Sequence, residues 1–144
     1  MKVYCDTSVL IAGSVLSHPH YPQALALLTQ VRARKLEGVI SAHGTAEFYA
    51  VLTRAPLIPP VYPSEAWRLL AENLLPYFHV AVLSAAQHKS VLRRAAEQGW
   101  AGGLVYDALH VASATSSQCQ RIYTFNLRHF LQVAPQLHDV ICSP

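Results

Sequence analysis

An α/β fold, built as three α/β/α layers around a central, mostly parallel sheet, is predicted by three features of the sequence. Short apolar runs of strand length alternate with stretches whose apolar residues recur at helical spacing. Those helical stretches are long enough to serve as crossover connections, which make successive strands parallel and put helices on both faces in a doubly wound, Rossmann-like manner. Acidic residues also stand at the ends of predicted strands, where open α/β sheets place their working crevice. The 144 residues suit a single domain, 1–144.

The elements follow in order. Residues 1–6 form a short buried strand ending in Asp6, and the pair Thr7 and Ser8 is expected to cap the helix that follows. From about residue 21, Tyr21, Ala24, Leu25, Leu28 and Val31 keep one helical face apolar, with Pro22 in the first turn and Arg32, Arg34 and Lys35 at the end. Gly38 precedes a second buried strand over 39–42, and helical spacing returns over about 43–54 through Phe48, Val51 and Leu52. The segment 54–63 holds four prolines and is a stiff loop, a possible lid, leading to a helix through Trp67, Leu70 and Leu74. A third strand is expected over 79–83, then a capping box of Ser84 and Gln87 opening a helix that Gly99 closes. A helix rich in small residues spans 106 to about 117, followed by a strand over 121–125, a short helix near 127–131 and a last strand over 138–141.

Composition narrows the function. Apolar residues make up 52% and charged residues 13% of the chain, which excludes a disordered tail or a coiled coil and favours a homodimer seam or a protein partner. The formal charge of +3 permits a polyanionic substrate without demanding one. Cys5, Cys119 and Cys142 are far apart, so neither a disulfide framework nor a thiolate zinc site is indicated, and a reducing cytoplasm fits. No apolar run is long enough for a membrane span, and Asp6 interrupts the place of a secretory leader.

Three of only eight acids carry the chemistry: Asp6 after the first strand, Glu47 in the first turns after the second, and Asp107 at the head of the helix before the 121–125 strand. Singly, each has an ordinary reading as a helix cap, a solvated helix residue or a complement to a helix dipole. Jointly they are more telling, because two carboxylates about 4 Å apart repel by about 4 kcal/mol at an effective dielectric of 20. A divalent cation relieves that repulsion. The donors are hard oxygens, with no Cys or His pair at zinc spacing, which favours Mg²⁺ or Mn²⁺ and an activated water for phosphodiester hydrolysis.

Four blocks then occur in a telling order: Val3 to Ser8, the Glu47 helix, Tyr106 to Ser113, and Tyr123 to Phe130. Over essentially the whole chain this resembles the PIN-domain ribonucleases, specifically the VapC-like toxins of type II toxin–antitoxin systems. The resemblance implies a Mg²⁺- or Mn²⁺-dependent endoribonuclease that cuts RNA, forms a homodimer and is silenced by an antitoxin occupying its groove. It implies Asp6, Glu47 and Asp107 as metal-binding and catalytic residues. Thr7, Ser8, Asn126 and Arg128 become candidates for contacts with substrate or with the metal's surroundings. Asn126 stands where many members carry a fourth acid, so one negative charge is missing, and a helix N-cap is its other reading. His110, a turn after Asp107, is expected to be packed or partly solvated, and no histidine receives a catalytic role; His129 is expected at the surface or just behind the site residues. The alternative function is a catalytically impaired PIN scaffold that binds RNA or a protein. An Asp-x-Asp phosphatase is disfavoured by Ser8, a receiver domain by the lack of a late lysine after Lys89, and a nucleotide-binding domain by the lack of a Gly-rich turn after the first strand.

Overall fold

The computed structural model describes residues 1–144. Its strands are β1 (Lys2–Cys5), β2 (Glu37–Ser41), β3 (Phe78–Ala81), β4 (Arg121–Tyr123) and β5 (Ile141–Cys142). They form one sheet in the order β3-β2-β1-β4-β5, and every pairing is parallel. The helices are α1 (Thr7–Ala12), α2 (Tyr21–Arg32), α3 (Ala42–Arg54), α4 (Pro63–Arg68), α5 (Ala85–Gln98), α6 (Leu104–Ser116) and α7 (Leu127–Val133).

Alternation along the central strands divides the interior in two. Val3 and Cys5 of β1 and Ile40 of β2 join Leu10, Leu28, Phe48, Leu52 and Leu74 in one core. Tyr4 and Val39 point the other way, against Ala108, Phe130 and Val133. A strand buried on both faces reads as a continuous apolar run, which is why these strands are legible as runs and not as alternation. Each large side chain so buried is worth about 1.5–3 kcal/mol relative to exposure.

Several boundaries move for identifiable reasons. Asp6, and neither Thr7 nor Ser8, caps α1, accepting a hydrogen bond from the Val9 amide at 3.1 Å. β2 starts at Glu37 and stops at Ser41, whose hydroxyl caps α3. Ser84 and Gln87 form the expected capping box of α5, and Gly99 closes it with φ of 71°, a left-handed geometry costly for other residues. α4 runs on into a π-helical stretch, Leu69–Leu74, that the apolar spacing did not distinguish from α-helix. The third and fourth strands are shorter than expected, and residues 138–140 are not strand. A 3₁₀ turn, Pro135–Leu137, and a bond from the Val140 amide to the Leu137 carbonyl occupy that stretch, leaving β5 only Ile141 and Cys142.

Candidate functional site

Strand order runs outward in both directions from β1, so the crossover direction reverses between β1 and β4 and leaves a crevice at their carboxyl ends. Asp6 leaves β1 there. Its amide continues the ladder to the Tyr123 carbonyl at 3.1 Å, and its side chain is 2% exposed. The carboxylate accepts hydrogen bonds from the Ser8 hydroxyl (2.6 Å), the Val9 amide (3.1 Å) and the Thr124 hydroxyl (2.8 Å). A carboxylate offers about four lone-pair positions, so these bonds fix its plane and leave little beyond one free direction. Burial pushes its pKa up, while the charge of His110 and these hydrogen bonds pull it down.

Glu47 reaches the same crevice from α3, held by two imidazoles. His43, one turn earlier on α3, places Nε2 3.1 Å from Oε2, and His110, from α6, places Nε2 3.3 Å from Oε1. Burial opposes ionisation of Glu47, but hydrogen bonding to His110 and His43 outweighs it and holds the carboxyl well below the usual carboxylate range. The His110 ring is 3% exposed, and its Nδ1 lies 2.7 Å from the Tyr4 hydroxyl, itself wholly buried. Gly44 permits this approach of α3 to α6: a Cβ there would stand 3.0 Å from Ser41 Oγ and 3.2 Å from His110 Cε1.

Asp107, in the first turn of α6, completes the acidic set. Burial, joined by the charges of Asp6 and Glu47, pushes its pKa up to about 6 against the pull of His129 and His110. Asp107 stands one turn before His110 on α6, the residue that Glu47 meets at 3.3 Å. His129 Nδ1 lies 3.7 Å from Asp107 Oδ2 and is largely exposed.

The remaining predicted residues divide. Ser8 donates to Asp6 and accepts from the Phe125 amide at 3.0 Å, tying β1 to the segment after β4. The Thr7 hydroxyl is buried without a partner at hydrogen-bonding distance, though near enough to Glu47 to help keep it ionised. Asn126 sits at the N-cap position of α7, but its side chain makes no capping bond; its amide donates to Thr124 Oγ1 at 2.9 Å. The N-cap reading of Asn126 therefore fails at the side chain. Thr7, Ser8, Glu47 and Asn126 instead line a groove of about 530 Å³ with His20 and Phe125, whose rings stack 4.4 Å apart. Arg128 is exposed on α7 and has no hydrogen bond or ion pair. A separate apolar cleft of about 400 Å³ beside α5, lined by Val91, Trp100 and Val111, contains no acid.

Sequence reasoning missed His43, Thr124 and the full part of His110. The i,i+4 spacing of His43 and Glu47 was visible, but the meeting of His110 with both depends on α3 packing against α6. The Thr7 hydroxyl is left over as a buried oxygen, and with the carboxylates of Asp6, Glu47 and Asp107 it offers hard-oxygen donors of the kind a divalent cation takes, whereas the side chains whose donor atoms lie within 4.8 Å of one another are His43, Glu47 and His110.

Comparison with known proteins gives the family and the fold. The PIN domain family model matches residues 3–135. The chain is 31% identical over 115 residues to Ribonuclease VapC27 of Mycobacterium tuberculosis, covering 80% of this chain and 78% of that protein. Among solved structures it superposes on M. tuberculosis VapC20, a sarcin–ricin loop cleaving toxin, with a TM-score of 0.70 and 18% identity, over 88% of this chain and 92% of the other. It superposes on VapBC2 from Rickettsia felis, bound to a DNA fragment from its promoter, with a TM-score of 0.67 and 17% identity, over 100% and 99% of the two chains. For FitAcB from Neisseria gonorrhoeae the TM-score is 0.66 at 17% identity, over 99% and 96%.

Proposed function

This chain belongs to the PIN-domain family, and from that premise we propose that it is a metal-dependent endoribonuclease, the toxin of a toxin–antitoxin pair. The observation that supports the proposal is that Asp6 leaves β1 at its carboxyl end while Glu47 meets His110, one turn along α6 from Asp107. In this reading residues 1–144 act as one domain, and Asp6, Glu47 and Asp107 hold Mg²⁺ or Mn²⁺. What such an ion supplies when bound is Lewis-acid polarisation of a phosphate and a more acidic water.

The chain's own residues orient and bind. Ser8, Thr124 and the Val9 amide fix the Asp6 carboxylate, and His43 and His110 fix that of Glu47. The groove beside them, with Thr7, Ser8 and Asn126 on its wall, receives single-stranded RNA. Arg128, in the first turn of α7 and without a partner in the protein, contacts phosphate. The protein works in the cytoplasm as a homodimer and is silenced by an antitoxin. Similarity to Ribonuclease VapC27 supports the hydrolase reading, and likeness to the VapBC2 fold agrees with it. No helix is long and apolar enough to cross a membrane.

Purified protein should cleave RNA with Mg²⁺ or Mn²⁺, and Asp6→Asn and Asp107→Asn should each abolish cleavage while the fold persists. Full metal-dependent activity in either variant would sink the site. Asn126 in the groove, with an amide in place of a fourth carboxylate, favours one second reading, a scaffold that binds RNA without cutting it. Binding without cleavage at any concentration of either metal would select it.

A further inference from the structure

We propose that His43, Glu47 and His110 bind a borderline-soft divalent ion, Zn²⁺ first, through a donor set chemically distinct from the all-oxygen set of Asp6, Glu47 and Asp107. One ligand atom from each of the three side chains lies within 4.8 Å of the others. His43 and Glu47 share a face of α3 one turn apart, and His110 arrives from α6, so two helices supply the triangle. Without an ion, each Glu47 oxygen faces one imidazole, at 3.1 Å and 3.3 Å. Two histidines and one glutamate with an open side are a recurrent zinc arrangement, the fourth position being left to solvent. The sequence shows no histidine pair at zinc spacing because the fold, and not the local chain, brings these two together.

The surroundings are built to orient both rings. The Tyr4 hydroxyl, 2.7 Å from His110 Nδ1, can donate to that nitrogen or accept from it. When it accepts, the proton stays on Nδ1 and the Nε2 lone pair is free for the ion, as in other metal sites whose histidines are anchored from behind. His43 lies flat against Tyr106, with centroids 5.0 Å apart and planes 16° from parallel. Imidazole donors favour Zn²⁺, Ni²⁺ or Cu²⁺ over Mg²⁺. Glu47 belongs to both sets, so the two kinds of ion compete for it; Zn²⁺ therefore inhibits Mg²⁺-supported cleavage, a consequence that rests on the ribonuclease reading, whereas binding of the ion does not.

The test titrates the metal-free full-length protein with Co²⁺ as a coloured substitute and displaces it with Zn²⁺. One equivalent should give the intense visible absorption of tetrahedral cobalt, lost on adding Zn²⁺. His43→Gln, on a partly exposed helix face, should weaken Zn²⁺ binding by at least about 10-fold, and Tyr4→Phe, which keeps the ring and removes the anchor, by about 10-fold. Asp107→Asn should leave the cobalt spectrum unchanged. A weak octahedral spectrum, or equal Zn²⁺ affinity in the wild type and both His43→Gln and Tyr4→Phe, would overturn the proposal. Tetrahedral cobalt in a protein that cuts no RNA would uphold this site and overturn the nuclease reading alone.

Discussion

Asp6 carries three hydrogen bonds on a nearly inaccessible carboxylate, and that makes it both rigid and dependent on its neighbours. Asp107 is displaced differently, and its displacement has a sign that can be measured. Its carboxyl titrates near 3.8 in the unfolded chain and at about 6 in the native state. Between those values the native state holds more protons than the unfolded one, so the metal-free protein loses stability as pH rises from about 4 to about 6. Glu47 is shifted the opposite way, and its contribution is lost only as pH falls below its ordinary 4.5. Melting temperatures in chelator should therefore decline across that upper window in the wild type and decline less in Asp107→Asn. Arg128→Ala should weaken RNA binding evenly across sequences and reduce the salt slope of binding by about one, as expected for a single phosphate contact. The acids were legible in the sequence because strand, acid and helix follow one another locally. His43 and Tyr4 were not, because their partner His110 is distant in the chain.

Among the elements, the Ser84–Gln87 capping box and the Gly99 stop were the most readable and the strand ends the least. Ser84 donates nothing to the site, yet its hydroxyl accepts from the Gln87 amide at 3.1 Å while Gln87 answers the Ser84 amide at 2.7 Å. Ser84→Ala should cost about 1 kcal/mol in denaturant melts with cleavage unchanged. Phe48→Ala, in the core beneath α3, should cost about 3–5 kcal/mol by leaving a cavity. The end of β4 escaped sequence reasoning because Thr124 and Phe125 are good strand residues: the Thr124 amide still donates to the Cys142 carbonyl at 3.0 Å, but the next amide, that of Phe125, turns to the Ser8 hydroxyl. β5 shrank because a proline-led 3₁₀ turn takes the preceding residues, a local competition that apolar counting does not resolve.

For the molecule as a whole, layer order and two-sided burial followed from the alternation of runs and helical stretches, since parallel strands require crossovers. Ile58, Tyr62 and Trp67 are exposed and would be available to the proposed homodimer. Light scattering should give twice the 15.8 kDa chain mass, and a monomer at assay concentration would remove the homodimer from the proposal. The bond from Thr124 to Asp6 closes a span of 118 residues, so the first strand's carboxylate is not positioned until the fourth strand has been made and has docked. On the proposed function, a chain whose synthesis stops before β4 would lack the bond that positions Asp6 and would cleave no RNA.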